Sequence, residues 1–294
     1  MIDTRLDTFI TVVKTKNYTK AAQILNLTQP AVSQQIKYLE NYYNVELIKK
    51  ANKTIYLTKE GDILYNYAQK MKALNRALKS EIKNNSSLRK IHNIGATMTT
   101  GEYVMPYILG DYKKDYPNID IILSVDNTKS IIEKLQDGEI ELALIEGYFD
   151  KDKFKYIKLK DDELVLAVSP KHEFASKIEV ELEEVIKGKL ILREKGSGTR
   201  DIFERKISEF GYGIENMNVY MEIRSINAIK SLVESNLGYT IISKEAIKRE
   251  VDLKFIKIVP IKNIKIKREF NFIYKTSSFL DFINSFIQYC YNHK

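Results

Sequence analysis

Gln29, Ser33, Gln34 and Lys37 share one face of a helix by their spacing. Side chains of these types can read base edges: Gln pairs with adenine, Ser meets several edges, and Lys meets guanine or a phosphate. The opposite face carries Val32, Ile36 and Leu39 at i, i+4 and i+7, a buried helical stripe. Thr28 is an N-cap by type and position, and Pro30 sits just inside the start, where its missing N–H costs nothing. Upstream, Ala21, Ala22 and Leu25 mark the apolar face of a shorter helix. Two short helices joined by a tight turn are either an ordinary helical hairpin with one solvated face or a helix-turn-helix, which lays its second helix in the DNA major groove.

Those residues also form a long motif. From Ala21 to Glu40 the chain reads A-A-x-x-L-x-x-T-Q-P-A-V-S-x-x-I-x-x-L-E, which resembles the N-terminal signature of LysR-type transcriptional regulators. The likeness extends to Phe9 and Val12 before it and to Leu57-Thr58-Lys59-Glu60-Gly61 after it. The chain departs from the family pattern at Thr28 (usually Ser), at Asn44 (commonly Gly) and at Ile48-Lys49-Lys50. Asn, like Gly, tolerates a left-handed backbone.

The elements that must position this face follow in order. Arg5 to Lys16 reads as a first helix, with Leu6, Phe9, Ile10 and Val13 apolar. Glu46 to Leu57 reads as a two-stranded wing, whose Lys49, Lys50 and Lys53 are either solvated or, beside the recognition helix, expected to reach phosphates, as is Thr28; Pro30 belongs to the same DNA-facing turn. Charge agrees: residues 1–88 hold 14 Lys and Arg against 7 Asp and Glu, whereas the whole chain nets +8, leaving +1 for the remainder. Lys59 to Lys83 reads as one long helix. Leu64, Tyr67, Met71, Leu74 and Leu78, with Ile82, repeat every three or four residues, a coiled-coil seam that either packs on its own domain or pairs two chains. The resemblance implies pairing. Asn84-Asn85-Ser86-Ser87 reads as a linker, and Tyr42, Tyr43, Tyr65 and Tyr67 as helix-contact residues.

From Ile91 strands and helices alternate, which predicts mainly parallel sheets with covered faces. Predicted helices span 101–115, 129–136, 180–186, 200–210, 226–234, 244–249 and 279–291; strands include 91–96, 119–125, 141–145, 164–168, 190–192, 219–223, 240–242 and 270–274. The resemblance implies a two-lobed, periplasmic-binding-protein-like α/β effector domain with the chain crossing between lobes twice. The domains expected are 1–58 (winged helix-turn-helix, the all-α part of an α/β chain), 59–87 (linker and dimerisation helix) and 88–294 (effector binding), the last with lobe one at 91–161 plus 267–294 and lobe two at 162–266.

Three strand-to-helix turns concentrate small polar residues: Gly95 to Gly101, Asp126-Asn127-Thr128, and Gly196-Ser197-Gly198-Thr199-Arg200. Helix N-termini hold unpaired N–H groups and a partial positive charge, and in open α/β sheets ligands bind at such strand ends. Each turn alone is an ordinary capping site. Together they predict a small anionic effector, a carboxylate, sulfate or phosphate compound, held by Thr97, Thr99, Thr100, Asn127, Thr128, Ser197 and Thr199. Arg200 has a competing use, an ion pair with Asp201 or Glu204. Glu146, at a strand end, would repel an anion or accept an amine. The G-S-G-T-R stretch resembles the family branch containing regulators of sulfur assimilation and carbon fixation.

Other chemistries lack their residues. No Walker A sequence or complete dinucleotide fingerprint occurs. His92, His172, His293 and Cys290 show no metal-ligand spacing. The acidic runs 161–163 and 181–184 read as solvated. No apolar run reaches a membrane span, and the start lacks the pattern of a signal peptide, which with a single cysteine predicts a cytoplasmic protein. The partners expected are double-stranded DNA, a second copy in a homodimer or homotetramer, the effector and RNA polymerase, with no cofactor, metal or membrane. Two rivals stand beside this regulator: an enzyme on the same two-lobed scaffold, and a DNA-compacting protein without sequence preference.

Overall fold

The computed structural model describes residues 3–51, 54–85, 90–275 and 280–293. Lys53, Ser86 and Ser87 lie outside the described residues, as does the side chain of Lys50. The chain separates into two compact units, the first built on the stretch before residue 88 and the second on the stretch after it.

In the first unit α1 (Thr4–Thr15), α2 (Tyr18–Leu25) and α3 (Gln29–Tyr43) pack around Leu6, Phe9, Val12, Ala21, Val32, Ile36 and Leu39, all buried. Asn17 caps α2 by accepting the Lys20 N–H at 3.0 Å, and Thr28 caps α3 by accepting that of Ala31 at 3.4 Å. Both helices end on an asparagine in the left-handed region, Asn26 and Asn44, with φ of 55° and 54°. Strands β1 (Ile48–Ala51) and β2 (Thr54–Leu57) pair antiparallel as the wing. The Glu40 carboxylate accepts the N–H groups of Leu47 and Ile48 at 3.0 and 3.3 Å, which ties the wing to the end of α3.

Helix α4 runs from Lys59 to Asn85. Thr58 opens it: its hydroxyl donates to Glu46 O at 2.6 Å and accepts the Gly61 N–H at 2.9 Å. A Cβ on Gly61 would stand 2.1 Å from Leu47 O, so the L-T-K-E-G stretch needs glycine there for a close backbone approach. Ala68 is buried and Leu64 and Tyr65 are half-buried against the core of the first unit. Tyr67, Met71, Leu74, Leu78 and Ile82 are exposed. Of the four tyrosines read as helix-contact residues, Tyr65 packs on the core of the first unit, Tyr42 and Tyr43 are exposed and contact each other edge to face, and Tyr67 is exposed on α4.

The second unit begins with β3 (Lys90–Thr97), α5 (Met98–Tyr103), α6 (Met105–Asp115), β4 (Ile119–Asp126), α7 (Thr128–Gln136), β5 (Leu142–Glu146) and β6 (Lys155–Val168). It continues with α8 (Leu182–Lys187), β7 (Leu190–Leu192), α9 (Gly198–Ser208), β8 (Val219–Glu222), α10 (Ile226–Glu234), β9 (Tyr239–Ser243) and α11 (Lys248–Asp252). β10 (Lys257–Val259), β11 (Ile266–Tyr274) and α12 (Leu280–Asn292) complete it. The single helix predicted over 101–115 is two. Pro106 has no N–H to give and crowds the preceding turn, so the chain breaks at Val104.

Among the described residues nine strands form one sheet in the order β4-β3-β5-β11-β6-β9-β7-β8, with β10 also on β6. The sheet is mixed rather than mainly parallel. β3 pairs parallel with β4 and β5, and β7 with β8 and β9, but β11 and β6 run antiparallel to their neighbours. These two long strands are the crossings. β6 begins nine residues before the strand expected at 164–168, because its first part is charged and reads as a loop.

Both faces of the sheet are covered in each half. In the first half Leu142, Leu144 and Phe272 of the sheet face Met105, Ile108 and Phe286, while Ala143 and Ile145 face Ile131, Leu135 and Phe154. In the second, Leu164, Leu166, Leu190 and Tyr239 face Phe174, Val185 and Phe203, while Ala167, Ile191 and Ile242 face Ile229 and Val233. This period of two with apolar residues on both faces is the pattern of a doubly covered sheet.

Candidate functional sites

The helix-turn-helix presents Gln29, Gln34 and Lys37 exposed and Ser33 half-buried, on the side of α3 away from its core stripe. Gln29 Nε2 donates to Ser33 Oγ at 2.8 Å, so the two polar groups form one patch with Gln29 Oε1 left as an acceptor. Thr28 and Pro30 are exposed at the same end of the helix, and Lys49 is exposed on the wing, 3.8 Å from Glu46. This is a solvent-facing array of donors and acceptors on a helix held rigidly from behind.

The second site lies where β3, β5, β6 and β11 meet the starts of α5, α7 and α9. Thr97, Thr99, Thr100, Thr128, Ser197 and Thr199 are all buried and Asn127 is half-buried. Three of the hydroxyls are already used within the fold. Thr97 donates to Glu146, Thr100 to Leu144 O at 2.8 Å, and Thr128 to Glu146 O at 3.0 Å. Asn127 Oδ1 accepts the Ser130 N–H at 3.0 Å. Thr99 and Thr199 differ: their hydroxyl oxygens accept from Arg268, at 3.4 Å from Nη2 and 3.0 Å from Nη1. An oxygen that accepts from a guanidinium points its own proton elsewhere. Arg268 thus sets two threonines, one from each half, as donors.

The sequence reading does not single out Arg268. It is buried on β11, directly opposite Asp162 on β6, and its Nε donates to Asp162 at 2.6 Å. Ser243 Oγ lies 2.9 and 2.8 Å from the two Asp162 oxygens. The acidic run 161–163 is therefore not wholly solvated, because Asp162 points inward as the partner of Arg268. A signal existed: Ile266, Arg268 and Phe270 alternate with exposed Lys267 and Glu269, the period of a strand with Arg268 on its inner face. Arg200 takes the competing use foreseen for it. Its Nε donates to Glu204 at 2.6 Å, and its Nη1 to Arg193 O at 3.0 Å and to Glu222.

The starts of α7 and α9 converge on the end of β5. A Cβ on Gly198 would stand 2.5 Å from Glu146 O and 2.8 Å from Thr128 Oγ1, so glycine lets the two halves touch backbone to backbone. Among the described residues no group of three or more His, Cys, Asp or Glu could hold a metal ion, and no helix is long and apolar enough to cross a membrane.

Comparison with known proteins bears on both units. Residues 4–62 match the model of the bacterial regulatory helix-turn-helix protein, lysR family, and residues 86–293 match the LysR substrate binding domain. The chain belongs to the LysR family. It is a DNA-binding transcriptional regulator with an effector-binding domain. It is 34% identical over 262 residues to an uncharacterized HTH-type transcriptional regulator of Methanocaldococcus jannaschii, covering 89% of this chain and 88% of that one. It is 31% identical to the HTH-type transcriptional regulator CysL of Bacillus subtilis, over 92% of this chain and 89% of that one. It is 32% identical to a probable RuBisCO transcriptional regulator of Phaeodactylum tricornutum, over 92% and 91%. The branch suggested by G-S-G-T-R is thus represented among its relatives.

Solved LysR-family folds align along the chain. Hydrogen-peroxide-bound mutant OxyR of Corynebacterium glutamicum superposes with a TM-score of 0.62 at 23% identity, over 99% of this chain and 91% of that one. The regulatory domain of Synechocystis CcmR, in complex with 2-PG, superposes with a TM-score of 0.61 at 24% identity, over 69% of this chain and 98% of that one. These likenesses concern the fold. The LysR-family chain described here has one cysteine, Cys290, buried in the core around Phe286, and burial pushes its thiol up to about 12, so it offers no reactive thiolate.

Proposed function

We propose that this regulator reads a specific DNA sequence as a homo-oligomer and that an effector bearing a small anionic group controls that binding. Thr28, Gln29, Pro30, Ser33, Gln34, Lys37, Lys49, Lys50 and Lys53 form the DNA-facing set, with bases met by Gln29, Ser33, Gln34 and Lys37 and phosphates by Thr28 and the wing lysines. Chains pair through the stripe on α4. The effector domain spans 88–294, with lobe one at 91–161 plus 267–294 and lobe two at 162–266. Its ligand lies among Thr97, Thr99, Thr100, Asn127, Thr128, Ser197 and Thr199. The protein works in the cytoplasm with RNA polymerase as a downstream partner.

One observation carries the effector reading: Arg268 donates to the hydroxyls of both Thr99 and Thr199, one from each half and each at a helix start, which leaves their own protons to be donated. CcmR, similar in fold, was solved with 2-PG. The reading is of a binding protein and not an enzyme. The polar groups of the cleft bond to one another, and the three histidines lie elsewhere, against Glu141, Phe174 and Tyr239, and Tyr289. An effector that binds one arrangement of the lobes better than another shifts how the oligomer holds DNA.

The test is retention of DNA from upstream of its own gene against random competitor at fixed salt, with and without a panel of carboxylates, sulfate and phosphate. Retention that one of these anions changes supports the reading; loss of all retention to competitor removes sequence-specific binding. Thr99→Val with Thr199→Val is expected to weaken binding of the active anion roughly 10- to 100-fold, at about 0.7–1.4 kcal/mol for each lost hydrogen bond, without unfolding the domain. Unchanged calorimetric affinity would take both residues out of the site. Gln29→Ala is expected to relax base preference at one position of the operator by about 1–3 kcal/mol. Equal weakening on every sequence would favour a DNA-compacting protein.

A further inference from the structure

The cleft that the proposed function gives to an anionic group also holds two buried carboxylates. Asp162 is fully matched, by Arg268 at 2.6 Å and by Ser243. Glu146, 3% exposed, is not matched in the same way: it accepts the Thr97 hydroxyl, while its Oε1 stands 3.9 Å from Arg268 Nη1, beyond a hydrogen bond. One guanidinium against two carboxylates leaves these buried side chains one negative charge in excess.

Against this stand the N-termini of α7 and α9, nine and eleven residues long, both directed at the end of β5. Each contributes roughly half a positive charge. Counted in formal charges over Arg268, Asp162, Glu146 and the two helix starts, the site is close to neutral but polarised, positive at the helix starts and negative at Glu146. Ser197, at the start of α9, is 2% exposed and makes no side-chain capping bond to that helix. A dianion placed here would leave buried charge without a counterpart, which is costly in a water-poor site. A molecule that is neutral overall, with its two charges apart, matches both poles. The poles are close together, since Thr199 Oγ1 at 3.0 Å and Glu146 Oε1 at 3.9 Å surround the same Arg268 nitrogen.

We infer that the effector is a zwitterion of amino-acid type. Its carboxylate is taken by the Thr99 and Thr199 hydroxyls and the N–H groups opening α9, and its ammonium by Glu146. This rests on the effector cleft proposed above and names the ligand class for it.

The experiment uses the full-length chain. The twenty common amino acids are screened by thermal shift beside sulfate, phosphate and the simple carboxylic acids of matching side chain. The best amino acid is then titrated by calorimetry with its deaminated and its hydroxy-acid counterparts. The expected result is binding of at least one amino acid, roughly tenfold or more tighter than either counterpart. Glu146→Gln should remove that preference, Glu146→Asp should keep part of it, and Thr99→Val with Thr199→Val should weaken the amino acid and its counterparts alike. Binding of sulfate, phosphate or a simple carboxylate in a Thr99- and Thr199-dependent way, with no amino acid bound, overturns the zwitterion and leaves the anion cleft standing. So does an amino-acid preference that folded Glu146→Gln and Glu146→Asp leave unchanged. No binding by any probe overturns both readings.

Discussion

Arg268→Met is expected to destabilise the effector domain by about 3–5 kcal/mol, the usual cost of leaving a buried charge without its partner. Asp162 would keep its two contacts to Ser243 and lose the guanidinium bonded to it, while Glu146 would lose the positive charge 3.9 Å from its Oε1. For a domain of this size each kcal/mol moves the melting temperature by about 2–4 °C, so calorimetry should show a fall on the order of 10 °C. The helix-turn-helix transition should not move, because Arg268 belongs to the second unit. Adding Asp162→Asn to Arg268→Met removes the orphan charge and leaves an acceptor for Ser243. The double variant is expected to regain most of the lost stability, since replacing both partners of a buried pair costs far less than removing one. Equal instability of the single and double variants would mean that lost packing of the long Arg268 side chain, and not charge, is the cause. Either variant should also weaken the effector, because Thr99 and Thr199 lose the group that orients their hydroxyls.

That Arg268 matters so much while escaping the sequence reading has a physical reason. The helix-turn-helix was legible because its signals are local: Thr28 caps a helix that Pro30 opens, Val32, Ile36 and Leu39 repeat with the helical period, and Asn44 turns the chain. The threonines were legible for the same reason, since each sits at a strand-to-helix turn. The Arg268–Asp162 pair joins residues 106 apart. In sequence both lie in charged runs, K-I-K-R-E and K-D-D-E, that resemble solvated loops. Only the pairing of two crossing strands, with Arg268 opposite Asp162, turns one side chain of each run inward. The same pairing made the sheet mixed: alternating strands and helices predict the parallel pairs on either side but not the antiparallel crossings between them. The tie that Glu40 makes to the wing escaped for a similar reason, because its two bonds reach Leu47 and Ile48 across the start of the wing.

Leu74→Glu with Leu78→Glu is expected to separate the oligomer without unfolding the chain. On α4, Tyr67, Met71, Leu74 and Leu78 follow one another at steps of four, three and four, the spacing that a two-stranded coil requires, with Ile82 four further on, and Leu74 is 72% exposed. An apolar stripe along about 20 Å of helix is an interface pattern rather than an ordinary surface. Because these side chains touch little within one chain, glutamates there should change the stability of the folded chain by no more than about 0.5 kcal/mol. Facing each other across a seam, the same charges repel and remove the apolar contact. Sedimentation at micromolar concentration should then give monomers. DNA retention on a two-half-site operator should fall by roughly 10²-fold or more, since the second recognition helix no longer arrives at high effective concentration. Leu64→Ala makes the contrasting case: Leu64 is half-buried against the core of its own unit, so it should lower the melting temperature of the helix-turn-helix and leave the mass unchanged. A Leu74→Glu, Leu78→Glu protein that sediments as the wild type would show that the stripe is not the seam that holds the chains together.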